Sequence, residues 1–202
     1  MNKSGNMFFR ILDIFTHFLL LNVMWFICCI PIVTIFPATA ALFGVARKWA
    51  FEGIDAGLFS LFVQQFKANF KKSFILGVMW TIASLIIAYD FYILHYVEFT
   101  GKAIVFNLLS LMTVLYLFTS IHLFFIMVHY ELTILQILKN SIFVSISYIF
   151  HTILCFIIIG LVIALCFFVP VFLLVAGSIL AFTLSHILIR LSQKIQQVKT
   201  AT

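Results

Sequence analysis

The chain has 202 residues, 65% of them hydrophobic and 9% charged, with a formal net charge of +6 and a mean hydropathy of +1.25. A water-soluble domain is about 45–50% apolar and about 25% charged, so this composition cannot cover a surface that faces water and excludes a soluble globular fold. It specifies an all-α polytopic membrane helix bundle; 26 Phe beside 8 Gly and 3 Pro argue against both β-barrel alternation and low-complexity disorder.

The first apolar segment, 11–30, reaches the roughly 20 residues that a spanning helix needs and stops at Pro31, which disfavours helical geometry before it. The next stretch, 28–43, reads CCIPIVTIFPATAALF. Ala38-Thr39-Ala40 fits a signal-peptidase site. The apolar run ahead of it is nevertheless about 20 residues long, against the roughly 7–15 of a leader peptide. Cleavage would also leave the cation-rich segment 47–72 directly behind an external terminus. The stretch reads instead as a deliberate break. Pro31 ends the first span, 32–36 runs extended, and Pro37 opens a second short helix that ends near Phe51. The Thr34 and Thr39 hydroxyls are placed to satisfy non-helical backbone at membrane depth.

Gly53 reads as a helix stop and Asp55 as the cap of an amphipathic helix over 57–72. Phe59, Phe62, Phe66, Phe70 and Phe74 form its apolar face, with Ser60, Gln64, Lys67 and Lys71 on another. Such a helix rests in the headgroup plane or docks on a partner. The region 37–72 is therefore expected to be cytoplasmic and interfacial, lying between spans one and two. Four further spans follow at 73–95, 104–128, 142–166 and 168–189, the last two joined by a tight hairpin near Pro170. The expectation is one membrane domain, 1–202, with five spans.

Lys and Arg in short loops set orientation. Five-span alternation puts Arg47, Lys48, Lys67, Lys71, Lys72, Lys139, Arg190, Lys194 and Lys199 on one side and Lys3, Arg10 and Lys102 on the other. That distribution predicts a cytoplasmic C-terminus and an extracytoplasmic N-terminus in a bacterial cell membrane; a re-entrant 31–45 would reverse the N-terminal side. The basic charge reads as topology control and headgroup contact, not nucleic-acid binding.

Small and hydroxyl-bearing residues recur at helical spacing in three spans: Gly77-Thr81-Ser84-Ala88, Ser141-Ser145-Tyr148-Thr152-Cys155, and Gly177-Ala181-Ser185. Close helix packing accounts for all three, and a polar conduit is the competing reading. Asp13 and Arg10 are expected to pair at the outer edge of span one. His122 and His151 sit deeper on different spans, as a speculative polar interior or proton relay. The four cysteines lie in apolar runs without metal-site or disulfide spacing. No H-E-x-x-H, G-x-S-x-G or phosphate loop is present, so no catalytic, cofactor-binding or metal residues are assigned and no enzyme is expected.

Asn22-x-x-Trp25 followed by Ile30-Pro31-Ile32-Val33-Thr34-Ile35-Phe36-Pro37-Ala38-Thr39-Ala40-Ala41-Leu42 resembles the signature of the YesL family of small bacterial membrane proteins. Phe66-Lys67-Ala68-Asn69-Phe70-Lys71-Lys72-Ser73 is similar to a second family element. Phe36 departs from the family, which has Gly there. The resemblance implies no catalytic residue. It marks Asn22, Trp25, Pro31, Thr34, Pro37, Thr39, Phe66, Lys67, Asn69, Phe70 and Lys71 as a structural or partner-binding element. It also implies an accessory role in carbohydrate uptake, because members are commonly encoded beside carbohydrate ABC importers and polysaccharide-degrading enzymes. The expected partners are the lipid bilayer and ABC importer permease subunits, with a homo-oligomer as a further arrangement. The alternative function is a small transporter or channel.

Overall fold

The computed structural model describes residues 3–54 and 57–200, and among them seven α-helices follow in order. They are α1 (Lys3–Cys29), α2 (Ile35–Glu52), α3 (Leu58–Tyr96), α4 (Lys102–His129), α5 (Ile134–Ser147), α6 (Ile149–Phe168) and α7 (Leu173–Thr200). Five segments are long and apolar enough to cross a membrane: Phe9–Cys29, Leu58–Tyr96, Lys102–His129, Ile149–Phe168 and Pro170–Gln193. The all-helical bundle with five apolar crossings is therefore as the composition dictates.

The proline-broken stretch is not extended as expected. Ile32–Thr34 closes a 3₁₀ turn, and α2 begins at Ile35 with Pro37 in its first turn. A proline there loses nothing, because the first N–H groups of a helix have no partner inside it. Helix α2 turns back along α1: the Thr34 hydroxyl reaches the Cys28 carbonyl, Trp25 meets Thr39, and the rings of His17 and Phe18 lie beside Trp49. It ends at Gly53, whose φ of 90° is a conformation open to glycine.

Helix α2 differs most from the interfacial reading. Pro37, Ala38, Ala40 to Ala46 and Trp49 are buried, and α1, α3, α4 and α7 pack around it. The reason is side-chain size. Ala38, Ala40, Ala41, Gly44 and Ala46 let four helices approach one backbone, and close packing is what holds helices together where lipid removes the hydrophobic drive. The resulting core also takes in Leu21, Phe62, Leu76, Leu123, Ile137 and Leu188.

The expected amphipathic helix and span two are one continuous helix, α3, of 39 residues. Asp55, expected to cap it, lies outside the described residues. The phenylalanine ladder does form, with ring centroids 6.3 Å apart for Phe62–Phe66, 5.4 Å for Phe66–Phe70 and 6.0 Å for Phe70–Phe74. Only part of it is free: Phe62 is buried in the core, while Phe59 is 73% exposed.

The single helix expected over 142–166 is broken at Tyr148 (φ −119°, ψ 47°) into α5 and α6. Around the break, the His151 N–H bonds back to the Tyr148 carbonyl and the Thr152 hydroxyl lies within 3.2 Å of the Ser145 and Tyr148 carbonyls. A hydroxyl inserted into the backbone ladder is a recognised cause of a kink. The expected hairpin near Pro170 is present as a 3₁₀ turn over Pro170–Phe172. Asp13 does not take Arg10 as its neighbour: the His17 Nδ1 stands 3.5 Å from its carboxylate.

Candidate functional site

The signature residues of 22–39 converge on one structural lock. Asn22 is fully buried in α1, and its Nδ2 donates to the Leu173 carbonyl at 2.9 Å, in the first turn of α7. Room for that amide exists because residue 177 is glycine. A Cβ there would stand 2.5 Å from Asn22 Oδ1. One turn away the Ser178 hydroxyl lies 2.8 Å from the Phe18 carbonyl. The Trp25 Nε1 donates to Thr39 Oγ1 at 3.2 Å, and Thr39 in turn donates to the Ile35 carbonyl at 2.7 Å. Thr34 Oγ1 sits 2.6 Å from both the Cys28 and Pro31 carbonyls, holding the 3₁₀ turn closed. Pro31 starts that turn and Pro37 is buried. Together these residues fasten α1 to α2 and α1 to α7.

Phe36, where the family carries glycine, points across to α3. A Cβ at Gly77 would meet its ring at 2.7 Å, and its ring centroid lies 5.1 Å from that of Phe124. The close approach is thus supplied by Gly77, with Phe36 filling the space.

The second signature element, 66–73, lies on α3 away from the lock. Asn69 Nδ2 donates to the Gln65 carbonyl at 3.0 Å, and the buried Ser73 hydroxyl donates to the carbonyls of Asn69 and Phe70. Lys67 and Lys71 are exposed, and Phe66 and Phe70 belong to the aromatic ladder. Arg47 escaped notice as more than a topology signal. Its Nη1 donates to the Val128 carbonyl, so α2 supplies a cation to the C-terminal end of α4, where helix carbonyls are otherwise unpaired. Its position late in a helix full of small residues was the available cue.

The hydrogen-bond partner of His122 is a hydroxyl, not the His151 ring. His122 is fully buried, and its Nε2 lies 2.9 Å from the Thr152 hydroxyl. His122 borders a cleft of about 390 Å³ between α4, α5 and α7, lined also by Phe125, Tyr130, Asn140, Tyr148 and Ser192. His151 is only half-buried and meets the ring of Tyr148 at 6.1 Å. Among the described residues no group of three or more His, Cys, Asp or Glu side chains is arranged to hold a metal ion, and the four cysteines are free thiols.

Apolar crossings packed around a small-residue centre and tied by interhelical hydrogen bonds define a multi-pass α-helical membrane protein. Its kinship follows from alignment. The family model described as "Protein of unknown function, DUF624" matches residues 18–91, from mid-α1 to late α3. Three proteins of Bacillus subtilis (strain 168) are similar to it. Uncharacterized protein YesL is 31% identical over 130 residues, covering 63% of this chain and 61% of YesL. Uncharacterized protein YteU is 28% identical over 136 residues, covering 65% and 60%; uncharacterized protein YesV is 29% identical over 108 residues, covering 52% and 50%. The chain thus spans about three fifths or less of the length of these curated relatives. No solved structure matches it. By motif and by alignment the chain is similar to YesL, and the α1 and α2 residues of the lock described above lie within the matched segment, while its α7 residues lie beyond it.

Proposed function

We propose that this chain is a non-enzymatic accessory protein of the bacterial cell membrane that works beside a carbohydrate ABC importer or in polysaccharide utilisation. The observation that carries this reading over a conduit is how the hydroxyl seams are used. Thr81 donates to Gly77, Ser84 to Thr81, Ser141 to Ile137 and Ser145 to Ile142, each to a carbonyl of its own helix. Hydroxyls engaged in this way pack helices and offer little to a solute passing through. The uptake context comes from the resemblance to the YesL family, and the contact surface assigned to a permease subunit is the N-terminal half of α3. There Phe59, Lys67 and Lys71 are exposed, so that half of the helix offers aromatic and cationic side chains on neighbouring faces.

Affinity purification of the tagged protein from native membranes, with and without polysaccharide induction, tests the proposal. Recovery of importer subunits supports it, and their absence from induced membranes overturns it. The second reading, a small transporter, draws on the cleft at His122. Solute flux in proteoliposomes containing only this protein would favour it.

The same geometry bears on orientation. Because α2 returns along α1, residues near the start of α1 stand at the end of the bundle that holds Arg47 and Lys48. Lys3 and Arg10 then join Arg47, Lys48, Lys67, Lys71, Lys72, Lys139, Arg190, Lys194 and Lys199, which leaves Lys102 alone at the other end. By the positive-inside rule, an asymmetry of that size supports a cytoplasmic side for residues 3–10 and 190–200 alike.

A further inference from the structure

We propose that the cleft between α4, α5 and α7 binds a neutral hydroxyl-bearing lipid of the diacylglycerol type, taken from the surrounding bilayer. The first ground is the ring of His122. Its Nε2 lies 2.9 Å from the Thr152 hydroxyl, which also sits within 3.2 Å of the Ser145 and Tyr148 carbonyls. Its Nδ1 is buried with no partner. In one tautomer that nitrogen is an unpaired N–H and in the other an unpaired lone pair, and a ligand hydroxyl, which can both donate and accept, satisfies either.

The second ground is the lining. Phe125, Ile126, Phe143, Val144, Leu188 and Leu191 form most of it, and among the described residues no Lys, Arg, Asp or Glu borders it. A charged headgroup entering this site would lose its water without gaining a counter-ion. The Asn140 amide, the Tyr130 and Tyr148 hydroxyls and Ser192 complete a small polar set around an apolar body, the pattern of a ligand pocket.

The third ground decides the source. On α5, Phe143 at the cleft is 68% exposed, and it is flanked by the exposed Ile142 and Ile146. The mouth is thus framed by apolar side chains suited to hydrocarbon, so the ligand arrives from lipid.

The test reconstitutes the full chain in phosphatidylcholine vesicles with a diacylglycerol analogue that carries a photoactivatable acyl chain, and maps adducts by mass spectrometry. Adducts concentrated on 122–148 and 188–192 are expected. Unlabelled diacylglycerol should compete better than phosphatidic acid of the same acyl chains by about tenfold, the worth of one satisfied hydrogen bond. His122→Leu should abolish that preference and His122→Gln, which retains a donor and an acceptor, should keep part of it. Should His122→Leu fail to fold, Phe143→Trp, placed at the exposed mouth, should lower labelling of the cleft peptides. Adducts spread over all lipid-facing helices, equal competition by phosphatidic acid, or protection by a water-soluble hexose but not by diacylglycerol would each overturn the proposal. So would unchanged preference in a folded His122→Leu variant, or unchanged cleft labelling in Phe143→Trp.

Discussion

Asn22 of α1 and the carbonyl of Leu173 at the start of α7 are joined at 2.9 Å across 151 positions of sequence, and the joint exists only because Gly177 has no Cβ. In lipid the alternative to such a bond is an unpaired amide in hydrocarbon, yet interhelical bonds of this kind contribute only about 0.6 kcal/mol on average and about 1.7 at most. The pair therefore matters as much for fixing register as for strength.

Gly177→Ala should destabilise the bundle by about 1–3 kcal/mol, because the new methyl group collides with Asn22 Oδ1. Asn22→Ala alone should cost about 1–2 kcal/mol. The double variant should lose less than the sum of the two, since removing the amide also removes the collision. Thermal unfolding in detergent, arranged as a double-mutant cycle, reads this directly. Additive losses would show that the two residues do not meet.

Thr39 separates packing from hydrogen bonding. Thr39→Val keeps the volume but removes the acceptor of Trp25 Nε1, and should cost about 0.5–1.5 kcal/mol. Thr39→Ser retains the oxygen and should stay near wild type. The same unfolding measurement distinguishes them, and equal stability of the valine and serine variants would contradict the bond.

Arg47 should behave as a tie between helices more than as a surface charge. Arg47→Met leaves the Val128 carbonyl without this donor and takes a cation from the end of α4, a loss of about 1–2 kcal/mol. Hydrogen exchange should accelerate around 125–130, where α4 ends, and remain unchanged around 104–110. Arg47→Lys should recover part of the protection, because Lys keeps the charge without the guanidinium geometry.

Orientation gives the sharpest topological prediction. Reporters fused at the N-terminus and at the C-terminus should both report cytoplasm, and a cysteine placed at Thr100 should be labelled by an impermeant reagent from outside. A periplasmic or surface-exposed N-terminal reporter would mean that α2 does not return in the membrane as it does along α1.

Much of the bundle could be read locally. Apolar runs marked the crossings, Pro31 and Pro170 marked the turns, and the signature at 22–42 pointed to the segment that proves to hold α1, α2 and α7 together. Helix α2 was harder to place, because Arg47, Lys48 and Glu52 dilute the apolarity of a segment whose first twelve residues are nearly all small or apolar. Its small side chains are compatible with either an interface or a crowded centre. The Tyr148 break was hidden for a related reason: Ser145 and Thr152 look like ordinary seam residues until a hydroxyl enters the ladder.

Composition and apolar patterning by themselves determined that the chain is a multi-pass helical membrane protein with five apolar crossings, since those follow from the cost of exposing backbone and apolar surface to the wrong solvent. Tertiary structure alone decided which face of each helix is inside, that Asn22 meets Leu173 and Arg47 meets Val128, and that His122 keeps an unpaired ring nitrogen beside a cleft. Those outcomes depend on contacts between residues distant in sequence. In hydrocarbon such contacts are selected by shape and by hydrogen-bond pairing, and a local apolar pattern contains neither.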